Sequence, residues 1–355
     1  MKIGVVKERK DQERRVGLTP AGCGLLIGRG HELLVESGAG VGSGFADVDY
    51  EAAGAAIRPA AEEIFAESEM IVKVKEPLPD EYGQLRSGQT VFAYLHLAAA
   101  PQLRQALENS GANAFAYELV RESDGTMPLL APMSEIAGRM SVQIAARLLE
   151  QSAGGPGIML AGVPGVAPAR VAIVGGGIVG ANAARIALGM GANVTILDMN
   201  PSRLRQLDQM FAGVATTLMS NEFNVSDSVV AADVVIGAVL IPGRAAPRIV
   251  TREMVARMKP GSVIIDVAVD QGGCVETVDR VTSHSNPTYQ VDGVIHYAVP
   301  NIPGIVPRTA TLALTNATLP YIAELADKGW RAAVDGGGAL SRAASIIQGR
   351  QAAGF

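Results

Sequence analysis

Residues 171–198, VAIVGGGIVGANAARIALGMGANVTILD, constrain the fold more than any other stretch of the chain. Val171 to Val174 is an apolar run of strand type, and Gly175 to Gly180 then gives the spacing G-x-G-x-x-G where a helix should begin. Gly175 permits a tight turn out of the strand, and Gly177 leaves room for a pyrophosphate against backbone N–H groups. Gly180 lets the helix over 177–190 lie close on the sheet. The helix N-terminus faces the phosphate charge. Gly191 ends that helix, Val194 to Leu197 reads as the next strand, and Asp198 follows Gly180 by 18 positions, where a ribose-binding carboxylate is expected. A 2′-phosphate would meet that carboxylate as a like charge, so NAD is expected over NADP, with Arg203 and Arg205 close enough in sequence to oppose the preference. The alternative is a βαβ unit without a ligand. Arg170 and Arg185 bracket the glycines, which argues against a membrane span of ~18 or more apolar residues.

The 355 residues exceed what one hydrophobic core usually covers, so two domains are expected. With 48% hydrophobic and 18% charged residues and 41 glycines, the composition suits a tightly packed α/β protein of many short turns. A net charge of −5 offers no basic field for nucleic acid. The N-terminus MKIGVVKERKDQERR becomes charged before a signal-peptide core could form, and its expected location is the cytoplasm. Cys23 and Cys274 make neither a metal-ligating cluster nor a disulfide framework and read as small buried hydrophobes.

Strand and helix signals also alternate before residue 130. Residues 2–6, 31–36, 70–75, 90–95 and 112–119 read as strands, and 20–29, 50–55, 61–67 and 101–110 as helices. After Asp198, strands are expected at 214–218, 233–239, 262–267 and 294–299. Long helices over 132–151 and 308–328, the second kinked at Pro320, would link two domains. The predicted fold is therefore α/β with two doubly wound domains. A central Rossmann domain over 131–305 is inserted into a Rossmann-like substrate domain made of 1–130 and 306–355, with a cleft at the join.

Ligands of open α/β sheets bind beyond the carboxyl ends of the strands, so polar residues there matter most. Lys75 follows an apolar strand, His96 nearly ends another, and Asp270 enters a glycine turn. Each has a plainer reading. Lys73 and Lys75 share a face by alternation and could be solvated on an edge strand, and His96 could be a core histidine bonded to a carbonyl. Asp270 could cap the turn at Gly272 and Gly273, and Arg14 and Arg15 could be surface residues. Taken together, an arginine to clamp a carboxylate, a lysine to stabilise charge on a carbonyl oxygen, and His and Asp to move protons suit reaction at a 2-oxo or 2-amino acid.

The segments KERKDQERRVGLTP, GHELLVESGAGVGSGF, VKVKEPLPDEY, FAYLHLAA, PLLAPMSEIAGRM, AGVPG, VIGAVLIPG, IIDVAVDQGGC and LALTNATLPY run through nearly the whole chain. In these the sequence resembles the alanine dehydrogenase family, which shares its fold with the NAD-binding subunit of proton-translocating transhydrogenase. The resemblance implies that Arg15 and Lys75 bind substrate, that His96 and Asp270 are the acid/base catalysts, and that the cofactor is NAD. It implies cofactor contacts from Ser134, Gly175, Gly177, Ile178, Val179, Gly180, Asp198, Arg203, Ser220, Val239, Leu240, Asp270 and Asn301. It further implies small-molecule partners (L-alanine, pyruvate and ammonium) and assembly as a homohexamer. The glycine-rich end DGGGALSRAASIIQGRQAAGF departs from the family pattern. Two rivals stay open: a cofactor-binding module that turns over no amino acid, and a dehydrogenase acting on a larger 2-oxo acid.

Overall fold

A computed structural model describes residues 1–239 and 246–352, so Leu240 lies outside the described residues. The strands run β1 (Lys2–Val5), β2 (Glu32–Glu36), β3 (Ala56–Arg58), β4 (Met70–Val72), β5 (Thr90–Ala93), β6 (Asn113–Ala116), β7 (Arg170–Val174) and β8 (Asn193–Asp198). They continue with β9 (Thr216–Met219), β10 (Val234–Gly237), β11 (Val263–Asp266), β12 (Thr288–Val291), β13 (Val294–Tyr297), β14 (Ala344–Ile347) and β15 (Arg350–Gln351). The chain divides into two compact units, one formed by Met1–Met133 with Gly304–Phe355 and the other by Ser134–Pro303.

Among the described residues, the first unit holds an eight-stranded sheet in the order β15-β14-β6-β5-β4-β1-β2-β3. Strands β1 to β6 are parallel, while β14 runs antiparallel to β6 and β15 to β14. Both faces are covered. Ile3, Val5, Met70, Val72 and Phe92 enter one buried cluster, and Ile71, Val91 and Ala93 enter another. That is why these strands read as continuous apolar runs, each fully buried aliphatic side chain contributing ~1.5–3 kcal/mol. Strand β1 continues to β2 on one side, while β4 lies on its other side, so the carboxyl ends of β1 and β4 open a crevice at the reversal of strand order.

The second unit repeats this plan with seven strands, β12-β13-β11-β10-β7-β8-β9, all parallel except β12. Its reversal falls between β7 and β10. Val171 and Ile173 face one buried cluster while Ala172 and Val174 face the other. Helices begin where sequence chemistry favours it: Thr19 accepts the Gly22 N–H ahead of Pro20, and Asn200 accepts the Ser202 and Arg203 N–H groups ahead of Pro201.

The helix read over 50–55 is Asp47–Ala52, started by acidic residues in its first turn. Strands β3, β12, β14 and β15 were not foreseen, being short and lying at or next to sheet edges. The kink assigned to Pro320 lies elsewhere. Helix Pro307–Asp335 keeps helical backbone angles through Pro320 and breaks at Gly329, whose φ of 75° and ψ of 164° cannot continue a right-handed helix. The glycine-rich end forms helix Ala339–Ala343 and then β14, which adds to the first sheet beside β6. Among the described residues, no helix is long and apolar enough to cross a membrane.

Candidate functional site

In the first unit, a buried ionic cluster collects at the switch point. The loop after β1 carries Glu8, Glu13 and Arg15, and the chain leaving β4 carries Lys73 and Lys75. Arg15 is 2% exposed, which overturns its surface reading. Its Nε lies 2.7 Å from Glu13 Oε1 and its Nη2 2.5 Å from Glu13 Oε2, the two parallel bonds of a guanidinium–carboxylate fork, and Nη1 lies 3.1 Å from Met133 Sδ. Burial pushes the Glu13 carboxyl up, but the Arg15 hydrogen bonds and charge outweigh it and hold it below the usual range.

Nor do the lysines sit on an edge strand. Strand β4 is internal, and its pairing with β5 continues through Lys73 N to Phe92 O at 3.2 Å and Tyr94 N to Val74 O at 3.1 Å. Lys73 is 1% exposed, with Nζ 2.9 Å from Glu81 Oε1 and 3.8 Å from Glu8 Oε2. Burial pulls its ammonium down, yet the Glu8 and Glu81 charges together leave it raised. Lys75 shifts the other way. Burial, then the Arg15 charge, lowers the pKa of its ammonium and outweighs the opposing Glu13 and Glu76 charges, which makes it a proton donor suited to a developing oxyanion.

His96 follows β5 and is not a core histidine, because its side chain is 51% exposed. Its backbone is left-handed at φ 47°, a conformation that few residues other than glycine adopt. Glu118, just beyond β6, fastens it. Oε1 accepts the His96 N–H at 2.6 Å, Oε2 accepts the Leu95 N–H at 3.2 Å, and His96 Nδ1 lies 3.8 Å from Oε1. The imidazole stacks on Tyr94, with centroids 6.0 Å apart and planes inclined by 4°.

In the second unit, the glycine loop lies at the end of β7. Gly175 has φ 106°, and a Cβ there would come 2.5 Å from Ala238 O; at Gly180 it would come 1.9 Å from Gly175 O. Both positions therefore require glycine. At Gly177, the N-cap of helix Ile178–Gly189, a Cβ would meet nothing within 4 Å. The loop is thus open where a pyrophosphate would approach the helix N-terminus, and a dinucleotide fits this cradle. Ile178 is exposed and Val179 half-buried on the first turn.

Asp198, at the end of β8, ties this loop together, with Oδ2 accepting the Gly176 N–H at 2.8 Å and Oδ1 the Asn200 N–H at 2.8 Å. Arg203 holds the next two peptides of the loop by their carbonyls, Nε to Gly176 O at 2.6 Å and Nη2 to Gly177 O at 3.4 Å. Ser220 N bonds to Asp198 O at 2.9 Å. Ser134 and Val239 are half-buried, Ser134 on the first turn of helix Ala131–Leu148 and Val239 just after β10.

Asp270 does not cap the glycine turn. It is exposed on the short turn Val269–Gln271, where Oδ2 accepts the Asn301 N–H at 3.4 Å. Asp266 caps instead, fully buried, accepting from Ala268 N at 3.0 Å, Cys274 N at 2.9 Å and Val275 N at 3.2 Å. Sequence reasoning passed over Asp266, Glu8, Glu13, Glu81 and Glu118. The missed signal is a set of carboxylates at strand ends or up to nine residues beyond them. Among the described residues, no group of three or more His, Cys, Asp and Glu is placed to hold a metal ion.

Two doubly wound sheets, one with an open dinucleotide cradle and the other with a buried Arg and Lys cluster at its own switch point, define a two-unit dinucleotide-binding protein. The "Alanine dehydrogenase/PNT, N-terminal domain" family matches residues 4–137, and the "Alanine dehydrogenase/PNT, C-terminal domain" family matches residues 141–353. The alanine dehydrogenase of Bacillus subtilis is 58% identical over 329 residues, covering 93% of this chain and 86% of the relative. A solved L-alanine dehydrogenase superposes with a TM-score of 0.96 at 51% identity, over 99% of this chain and 96% of that one. The transhydrogenase from Sinorhizobium meliloti superposes with a TM-score of 0.87 at 27% identity, over 99% and 100%. The chain belongs to the alanine dehydrogenase/PNT family.

Proposed function

We propose that this protein is an NAD-dependent L-alanine dehydrogenase, converting L-alanine, NAD and water reversibly to pyruvate, ammonium, NADH and a proton. The observation that carries the reading is the buried Arg15–Glu13 fork beside Lys75, a cationic group built into the first sheet's switch point in a chain that also holds the open cradle at Gly177. A module that only held a dinucleotide would have no use for it.

Glu13 fixes the guanidinium of Arg15 through Nε and Nη2, and the Arg15 charge attracts the substrate carboxylate. Lys75 donates to the substrate oxygen as charge develops there. When bound in the Gly175–Gly180 cradle, NAD would supply the hydride acceptor, and loss of hydride from Cα makes alanine an iminium. Alanine gives one ammonium proton to solvent before hydride leaves; water then adds to the iminium carbon while His96 takes a water proton, and His96 returns it to nitrogen so that ammonia leaves as the carbinolamine hydroxyl proton passes to Asp270. Exposure suits His96 to exchange that proton with solvent. Asp270 is the second proton carrier, oriented by the Asn301 N–H. Gly175, Gly177, Ile178, Val179 and Gly180 hold the pyrophosphate, with Ser134, Ser220, Val239, Leu240 and Asn301 as further cofactor contacts. Asp198 receives the adenosine ribose and Arg203 braces the loop.

On the same reading, residues 1–130 and 306–355 form the substrate domain and 131–305 the NAD domain, and the enzyme is a cytoplasmic homohexamer. Family membership supports these assignments, and light scattering measures the assembly. Initial rates of NADH oxidation with ammonium and a panel of 2-oxo acids test the substrate. Pyruvate should give the highest kcat/KM. A preference for a larger acid overturns the alanine assignment, and NADH binding without any turnover favours the cofactor module.

A further inference from the structure

Glu8 is a buried ionisable group at the first unit's switch point that the mechanism above does not use. Its residue is 8% exposed. Oε1 accepts the Val74 N–H at 2.6 Å and the Lys75 N–H at 3.4 Å, so this oxygen holds the backbone that presents Lys75. Oε2 faces Lys73 Nζ at 3.8 Å, beyond hydrogen-bond length, and Lys73 makes its short contact with Glu81 instead. The ionisable groups around Glu8 are Lys73 and Lys75 beyond β4, Glu13 and Arg15 on its own loop, Glu81, and Tyr117 beyond β6.

We propose that binding of an anionic 2-oxo acid at Arg15 and Lys75 is linked to uptake of a proton from solvent by Glu8 Oε2. The inference rests on the substrate reading given above. A substrate carboxylate brings another negative charge next to a carboxyl already facing Glu13 and Glu81 in a site withdrawn from water. Like charge in a low-dielectric setting raises proton affinity. The site is poised for this, because burial, opposed by Lys73 and aided by Glu13 and Glu81, pushes Glu8 up to about 7. Protonation at Oε2 leaves Oε1 as acceptor for Val74 and Lys75, so Lys75 keeps its place in both states. The linkage sets a direction. Above the Glu8 pKa each oxo acid must bring a proton with it, and its affinity falls by up to tenfold per pH unit. Zwitterionic alanine carries its own positive charge and draws much less.

Calorimetric titration of oxamate, a non-reducible pyruvate isostere, into the enzyme–NADH complex counts the protons at about pH 7.5 when repeated in two buffers of different ionisation enthalpy. A substantial fraction of one proton should enter with oxamate in the unmodified enzyme and in His96→Asn, and almost none in Glu8→Gln. Undiminished uptake in folded Glu8→Gln, or loss of uptake in His96→Asn, overturns the inference. If Glu8→Gln does not fold, His96→Asn decides: retained uptake supports Glu8, and lost uptake reassigns the proton to the imidazole. Oxamate binding with no proton uptake in the unmodified enzyme removes the linkage alone. Failure of oxamate to bind the folded NADH complex removes the substrate reading and the linkage with it.

Discussion

The Glu118 carboxylate holds the turn at His96 with both oxygens, one on the Leu95 N–H at 3.2 Å and one on the His96 N–H at 2.6 Å. A histidine at φ 47° is a strained residue kept in place by its neighbour. His96→Asn should leave folding and NADH binding intact and lower turnover by ~10²–10⁴-fold, the usual contribution of a positioned acid/base. Glu118→Ala should also lower turnover, while Glu118→Gln, which keeps an acceptor for the turn, should recover part of it. Equal loss in both Glu118 variants would mean that charge rather than position matters. Near-normal turnover in His96→Asn would leave Asp270 as the proton carrier.

Arg15→Lys keeps the charge but breaks the fork with Glu13. We expect kcat/KM for pyruvate to fall by an amount equivalent to ~1–3 kcal/mol, with NADH affinity little changed. Urea unfolding should show lower stability too, since Glu13 is left buried with a poorer partner. Unchanged kcat/KM would confine Arg15 to a structural role.

Asp198→Ala should weaken NAD binding and relax discrimination against NADP, read from the two Kd values by fluorescence titration. The structure adds that Asp198 also fastens Gly176 N, so NAD itself must lose affinity through a looser loop. A mutant with normal NAD affinity and unchanged NAD/NADP preference would remove Asp198 from the site.

Glu8 should make stability depend on pH in a defined sense. Its carboxyl is raised from 4.5 to about 7 in the folded protein, so the unfolded chain loses that proton first and stability falls as pH rises through this window. Glu8→Gln stays neutral. It should match the parent near pH 4.5 and exceed it by ~1–3 kcal/mol above pH 7, measured by chemical denaturation. A difference that does not change with pH would show that Glu8 is ionised throughout.

The glycine spacing and the two-face apolar strands made the doubly wound architecture and the family legible in the sequence. Gly175 and Gly180 are the clearest cases, because a side chain at either would strike backbone. The ionic cluster was legible only in part. Arg15 looks like a surface residue in a charged loop until Glu13, two positions earlier, is seen to pair with it inside the protein. Lys73, Glu8 and Glu81 come together from segments up to 73 positions apart in the numbering, a convergence that no local pattern encodes. Asp266 and Asp270 were indistinguishable by type, and only the three N–H groups turned toward Asp266 separate the cap from the exposed carboxylate. Pro320 misled because its fixed φ suits a helix, whereas Gly329 breaks the helix through a φ that only glycine adopts with ease.

In this enzyme hydride should leave the α-carbon of alanine for NAD. L-alanine carrying deuterium at Cα, incubated with enzyme and NAD, reports this directly by mass spectrometry of the reduced cofactor. One deuterium should appear in NADH for each pyruvate and ammonium formed, with a slower rate when hydride transfer limits turnover. Reduced cofactor without deuterium, or no reduced cofactor from an enzyme that binds NADH, would contradict it.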